Sequence, residues 1–139
     1  MAYAAETKVP VLQTQGEIKK MLTRVGCGPV GILEDPRERT IQVLFELDTR
    51  RIIFRMTIPD ASSQRGREQK ERSAWRALAQ VIKFKLESIE AGIETLEQAF
   101  LAHIMQPDGR TYGETLIPEL DNHIAQGGVP RLTFGGGDE

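Results

Sequence analysis

With 139 residues, 40% of them apolar and 27% charged, the chain is long enough for one domain with its own core and too apolar for wholesale disorder. A single cysteine, Cys27, excludes an intramolecular disulfide, and apolar runs of only a few residues exclude a helical membrane span. The formal charge of −2 conceals a division: residues 50–85 carry ten Lys/Arg against three Asp/Glu, and residues 86–139 carry two against ten.

In chain order, residues 1–12 read as an N-terminal arm with an extended piece over Val9–Leu12, and residues 13–132 as a single α+β domain. Thr14 and Glu17 have capping-box spacing, and Ile18, Met21, Leu22 and Val25 recur at helical intervals, so a helix is expected there with Gly26 at its C-cap. Three strands follow. The first is Val30–Leu33, and a polar turn over 34–38 leads to Thr40–Leu47. A tight turn at Asp48-Thr49-Arg50 then leads to Arg51–Ile58. Strict alternation places Ile41, Val43, Phe45, Leu47, Ile52, Phe54, Met56 and Ile58 on one face. The other face carries Gln42, Leu44, Glu46, Arg51, Ile53, Arg55 and Thr57, as expected of a sheet with one side partly open.

Pro59–Gly66 reads as a mobile loop, and the longest helix is expected from about Arg67 to Ala91, with Trp75, Leu78, Ala79, Ile82, Leu86 and Ile89 as its apolar stripe. Thr95 with Gln98 predicts a short capped helix with Leu96, Phe100, Leu101 and Ile104 inward. After the turn Pro107-Asp108-Gly109, Thr111 with Glu114 opens a last helix through Leu116, Leu120 and Ile124 to Gly127-Gly128. Residues 133–139 read as a flexible Gly-rich tail. The expected fold is a three-stranded antiparallel sheet packed against helices in the order α-β-β-β-α-α-α.

Chemistry is hard to place on this plan. His103 and His123 fall on different elements, Cys27 follows a helix end, and no close-spaced ligand pair suggests zinc. The glycines at 26 and 28 have a helix before and a strand after, the reverse of a phosphate-binding loop. Glu34, Asp35, Asp48 and Asp60 fall in turns, where carboxylates usually shape the backbone. No catalytic residue, cofactor or metal is therefore assigned, and a binding role ranks above an enzymatic one. With neither a basic leader nor an apolar stretch over Met1–Glu6, the expected setting is soluble and cytoplasmic, with no membrane partner.

The basic segment is the most suggestive feature. Arg65, Arg72, Arg76 and Lys83 recur at helical spacing along one side of the long helix, Arg65 only if that helix starts early enough. Gln69 and Gln80 flank them, and Arg51 and Arg55 on the open sheet face would extend the row. Long cations at fixed spacing are what phosphate contacts require. Aromatic interleaving is sparse, with Phe84 alone near that side. The competing explanation is a helix that merely solvates one flank, with pairs such as Glu68 and Arg72 supporting it locally.

Two resemblances bear on function. Thr7-Lys8-Val9-Pro10-Val11, the stretch Phe54–Asp60, and Pro107–Thr111 together resemble a family of small, uncharacterised bacteriophage and prophage proteins over most of the chain. Arg72-x-x-Trp75-x-x-Leu78-x-x-Val81 is similar to a ten-residue segment of the recombination-mediator protein of lambdoid phages. That resemblance implies single-stranded DNA binding. The expectation is a phage-type accessory protein that binds single-stranded DNA in recombination or replication. Its phosphate contacts would be Arg51, Arg55, Arg65, Arg72, Arg76 and Lys83. The alternative is an inhibitor of a host enzyme or defence complex acting through the acidic C-terminal surface. A small hydrolase built from turn carboxylates is the third class. Segments of opposite charge also predict a homo-oligomer.

Overall fold

The alternating apolar residues in the middle of the sequence become a β-hairpin. In the computed structural model, which describes residues 5–133, strands β2 (Thr40–Leu47) and β3 (Arg50–Thr57) pair antiparallel, with Val43 opposite Phe54 and Phe45 opposite Ile52. Asp48 and Thr49 form the two-residue turn, both with positive φ (47° and 64°), the backbone that matches the twist of a hairpin. Strand β1 (Val30–Asp35) pairs with the other side of β2, giving the sheet order β1-β2-β3. The fold is α+β with the element order α-β-β-β-α-α-α.

Helix α2 (Gln64–Glu90) covers one face of the hairpin. Its stripe of Trp75, Leu78, Ala79 and Ile82 meets Ile41, Val43, Phe45, Ile52, Phe54 and Ile58 in one core, with Trp75 fully buried. Met56, on the same face, is half-buried. Burying a side chain of this size removes 150–250 Å² or so from water, the largest single apolar gain the stripe offers. Helix α1 (Val11–Arg24) adds Ile18 and Leu22 to the same core. Phe100 completes it, meeting Phe45 and Phe54 edge-on at centroid distances of 5.9 and 6.2 Å.

Several boundaries depart from the sequence expectation. α1 starts at Val11, behind Pro10, so the extended piece predicted over Val9–Leu12 is cut short and the Thr14–Glu17 capping box does not form. Thr14 is fully buried and its hydroxyl accepts from Arg76 instead. α2 begins before Arg67, because Ser63 Oγ accepts from the Gly66 amide and caps the helix there; the expected loop is correspondingly shorter. Glu68 does not pair with Arg72; Gln69 does. The predicted tail lies beyond the described residues except for Thr133.

The two later capping boxes form as their spacing demands. Thr95 and Gln98 open α3 (Leu96–Phe100), and a 3₁₀ turn over Leu101–His103 follows. That tighter turn rotates Leu101 outward, to 46% exposure, against the expectation that it faces the core. Ile104 and Met105 then run beside β3, where the Met105 amide donates to the Arg51 carbonyl at 2.8 Å and closes that edge. Thr111 and Glu114 open α4 (Tyr112–Gly127), whose first turn rests on the 3₁₀ turn through Gly113. From Leu116 onward every described residue is exposed.

Candidate nucleic-acid interface

Because α2 starts at Gln64, Arg65 joins the helix, and Arg65, Arg72, Arg76 and Lys83 fall within about 40° of one another around its axis. The row faces the seam between α2 and α1. Its middle is committed to holding that seam together. Arg76 donates to Glu17 Oε1 at 2.6 Å and to Thr14 Oγ1 at 3.2 Å, and its side chain is only 21% exposed. Arg72 is half-buried and donates to Gln69 Oε1, while Gln69 Nε2 donates to the carbonyls of Ala5 and Thr7. Arg65 and Lys83, at the two ends, remain exposed.

The two sheet arginines do not extend the row. Ile52 and Phe54 point at α2, so Arg51 and Arg55 project from the opposite face, with the sheet between them and the helix. Arg55 is paired there with Glu114 at 2.8 Å, and neighbouring Arg50 with Glu97 at 3.2 Å. Six cations expected on one surface are thus divided between two.

The seam instead brings in cations that spacing along α2 cannot reveal. A groove of about 620 Å³ runs between α1 and α2 at the C-terminal half of the row. Lys20 and Arg24 stand on the α1 rim and Arg76 and Lys83 on the α2 rim. Met21, Ala79 and Phe84 supply apolar wall, with Phe84 56% exposed. Lys83 Nζ lies 5.9 Å from the Phe84 ring centroid. Glu17 is the one carboxylate in the lining, and Arg76 neutralises it. The hydrogen bond from Arg76 holds that carboxyl below the ordinary glutamate range. Lys20, Arg24 and Lys83 make no ion pair among the described residues. Gln80 Oε1, a buried acceptor of the same wall, receives no hydrogen bond among them either.

The remaining candidates do not assemble. His103 stacks on Phe54 at 4.0 Å, and burial, followed by the nearby charge of Lys85, pushes its pKa below the ordinary histidine value. His123 is exposed on α4. Burial raises the pKa of the Cys27 thiol, which favours its protonated form. Among the described residues no three His, Cys, Asp or Glu side chains converge to hold a metal ion, and no helix is long and apolar enough to cross a membrane. Comparison with protein families, curated proteins and solved structures finds no match to this chain.

Proposed function

We propose that the chain is a phage-type accessory protein that binds single-stranded nucleic acid in the α1/α2 groove, with DNA undergoing recombination or replication as the favoured partner. The observation that carries this reading is the convergence of Lys20, Arg24 and Lys83 on a groove whose wall exposes Phe84 and whose only carboxylate is already paired. Long cations spaced across a groove can follow a phosphate backbone, and an exposed ring gives an unstacked base a surface to rest on. Base stacking on one aromatic contributes about 1–3 kcal/mol, and each neutralised phosphate adds a salt-dependent increment. A duplex, with its bases already stacked, gains only the second of these. The groove therefore favours single strands.

Fluorescence anisotropy of labelled single- and double-stranded oligonucleotides at two salt concentrations tests the reading. Single strands should bind more tightly. With three phosphates neutralised, log K should fall with log salt at a slope of about −2. Lys20→Glu with Lys83→Glu should abolish binding to every sequence alike, and Phe84→Ala should remove the preference for single strands. Wild-type protein without affinity for either oligonucleotide at low salt would end the proposal.

A further inference from the structure

Helix α4 leaves the body of the protein with an apolar face that stays about half exposed among the described residues. Leu116, Ile117, Leu120 and Ile124 are 47%, 59%, 53% and 48% exposed. At about 100° per residue they fall within one third of the helix circumference, on the same side as Gly113, whose backbone is buried against Ala102. The face that docks the first turn of α4 thus continues outward past Ile117, which still lines a cavity with Ile53 and His103, and every described residue from Leu116 onward is exposed. Glu119 and Asp121 flank this stripe, one on each side, and α4 contains no Lys or Arg. A helix of this kind, apolar along one line and acidic along both edges, is built to enter a groove with an apolar floor and basic rims.

The chain carries such a groove. The seam between α1 and α2 has Met21, Ala79 and Phe84 in its wall, Lys20 and Arg24 on one rim and Lys83 on the other. We infer that α4 of one copy docks in the α1/α2 groove of a second copy, its Leu116–Ile124 stripe against Met21 and Phe84, and Glu119 and Asp121 against the opposite basic rims. Two α4 helices facing each other would instead bring like charges together along both edges, with no cation on either helix to offset them. A foreign protein would have to reproduce a charge pattern that this chain already displays. The second copy is the occupant that the charges select, and reciprocal exchange of α4 closes a two-fold dimer. This inference stands on the groove and the helix alone, and not on the nucleic-acid reading of the same groove.

Sedimentation velocity and light scattering on the full chain, without nucleic acid, over a range of protein concentrations test it. Wild type should pass from monomer to dimer as concentration rises, and added salt should shift the transition to higher concentration. Leu120→Ser with Ile124→Ser should raise the dimer dissociation constant tenfold or more. Lys20→Glu with Lys83→Glu, and separately Glu119→Lys with Asp121→Lys, should each be monomeric alone. An equimolar mixture of these two charge-reversed proteins should recover the dimer, since each α4 then meets a groove of opposite sign. All the substituted side chains are exposed, and circular dichroism should show an unchanged fold. A wild type that stays monomeric at every concentration overturns the inference. So does a dimer lost in the α4 variants but kept when the groove lysines are reversed.

Discussion

Arg76 and Glu17, 59 residues apart in the chain, meet at 2.6 Å across the seam between α2 and α1. The same guanidinium donates to the buried hydroxyl of Thr14, so one side chain fastens two successive turns of α1. An arginine that the sequence offers as a phosphate contact is thereby part of the scaffold that creates the groove. Arg76→Ala should destabilise the fold by about 1–2 kcal/mol, since the pair is half-buried and charged hydrogen bonds exceed the value of exposed ion pairs. Urea denaturation measures this directly.

The pair also sets an acid limit. The hydrogen bond from Arg76 lowers the folded-state pKa of Glu17 below the ordinary 4.5, so the folded protein binds fewer protons than the unfolded chain in that range. Its stabilisation is complete above the ordinary value and disappears as pH falls through the lowered one. Glu17→Gln should flatten the loss of stability between about pH 5 and 3, with little change at pH 7 beyond the missing ion pair. An acid limb as steep in Glu17→Gln as in wild type would show that other carboxylates set it.

Gly113 is where α4 meets the body. A Cβ there would lie 2.7 Å from the backbone oxygen of Ala102 and 3.1 Å from its Cβ. Alanine ordinarily strengthens a helix by up to about 1 kcal/mol over glycine. A backbone oxygen cannot move aside as a flexible side chain can, so overpacking of about 1–3 kcal/mol prevails. Gly113→Ala should therefore lower stability despite the gain in propensity. Hydrogen exchange should locate the loss in the first turn of α4, leaving β2 and β3 protected.

His103 supplies a second pH dependence. Half-buried against Phe54, it is held below its ordinary 6.5 mainly by burial and further by Lys85, while a hydrogen bond with the Ile53 backbone opposes the shift. Its neutral form is thus preferred in the folded state. Stability should be full above pH 6.5 and decline as pH falls toward the lowered folded value. The imidazole signals of His103 in an NMR titration should give a midpoint below the ordinary 6.5. His103→Gln should remove the decline between about pH 7 and 5.

Much of this architecture is legible in the sequence where a single element carries the signal. The alternation from Ile41 to Ile58 gives the hairpin and its buried face, the stripe through Trp75 and Ile82 gives α2, and both Thr-x-x-Gln/Glu boxes give helix starts. The failures arise where a residue answers to a distant partner. Thr14 and Glu17 have capping spacing, but Arg76 claims both, and the helix starts earlier. Arg51 and Arg55 share the charge of the α2 row but stand behind the sheet from it, a separation that strand alternation implies only once the covered face is known. Lys20 and Arg24 carry no mark of a site in their own helix; their place on the groove depends on the packing of α1 beside α2. The apolar period of Leu116, Leu120 and Ile124 predicts α4, yet a period cannot tell a stripe that folds onto its own core from one left for another molecule.

If one groove takes both nucleic acid and a second copy's α4, the two must compete, and the competition is measurable. A ligand whose site is open for a fraction of the time binds with an apparent affinity reduced by that fraction, so a groove open one-tenth of the time costs about tenfold. The apparent affinity of wild type for a single-stranded oligonucleotide should therefore weaken as total protein rises through the dimerisation range. Leu120→Ser with Ile124→Ser leaves every groove cation in place, adds no charge and frees the groove. Its affinity should equal that of dilute wild type and stay constant with concentration. By the same linkage, saturating oligonucleotide should dissociate the wild-type dimer in sedimentation. Equal affinities for wild type and variant across the whole range would place the oligonucleotide and α4 on separate surfaces. Lys20→Glu with Lys83→Glu would then identify which of the two the groove holds, because it disables only the ligand that uses those lysines.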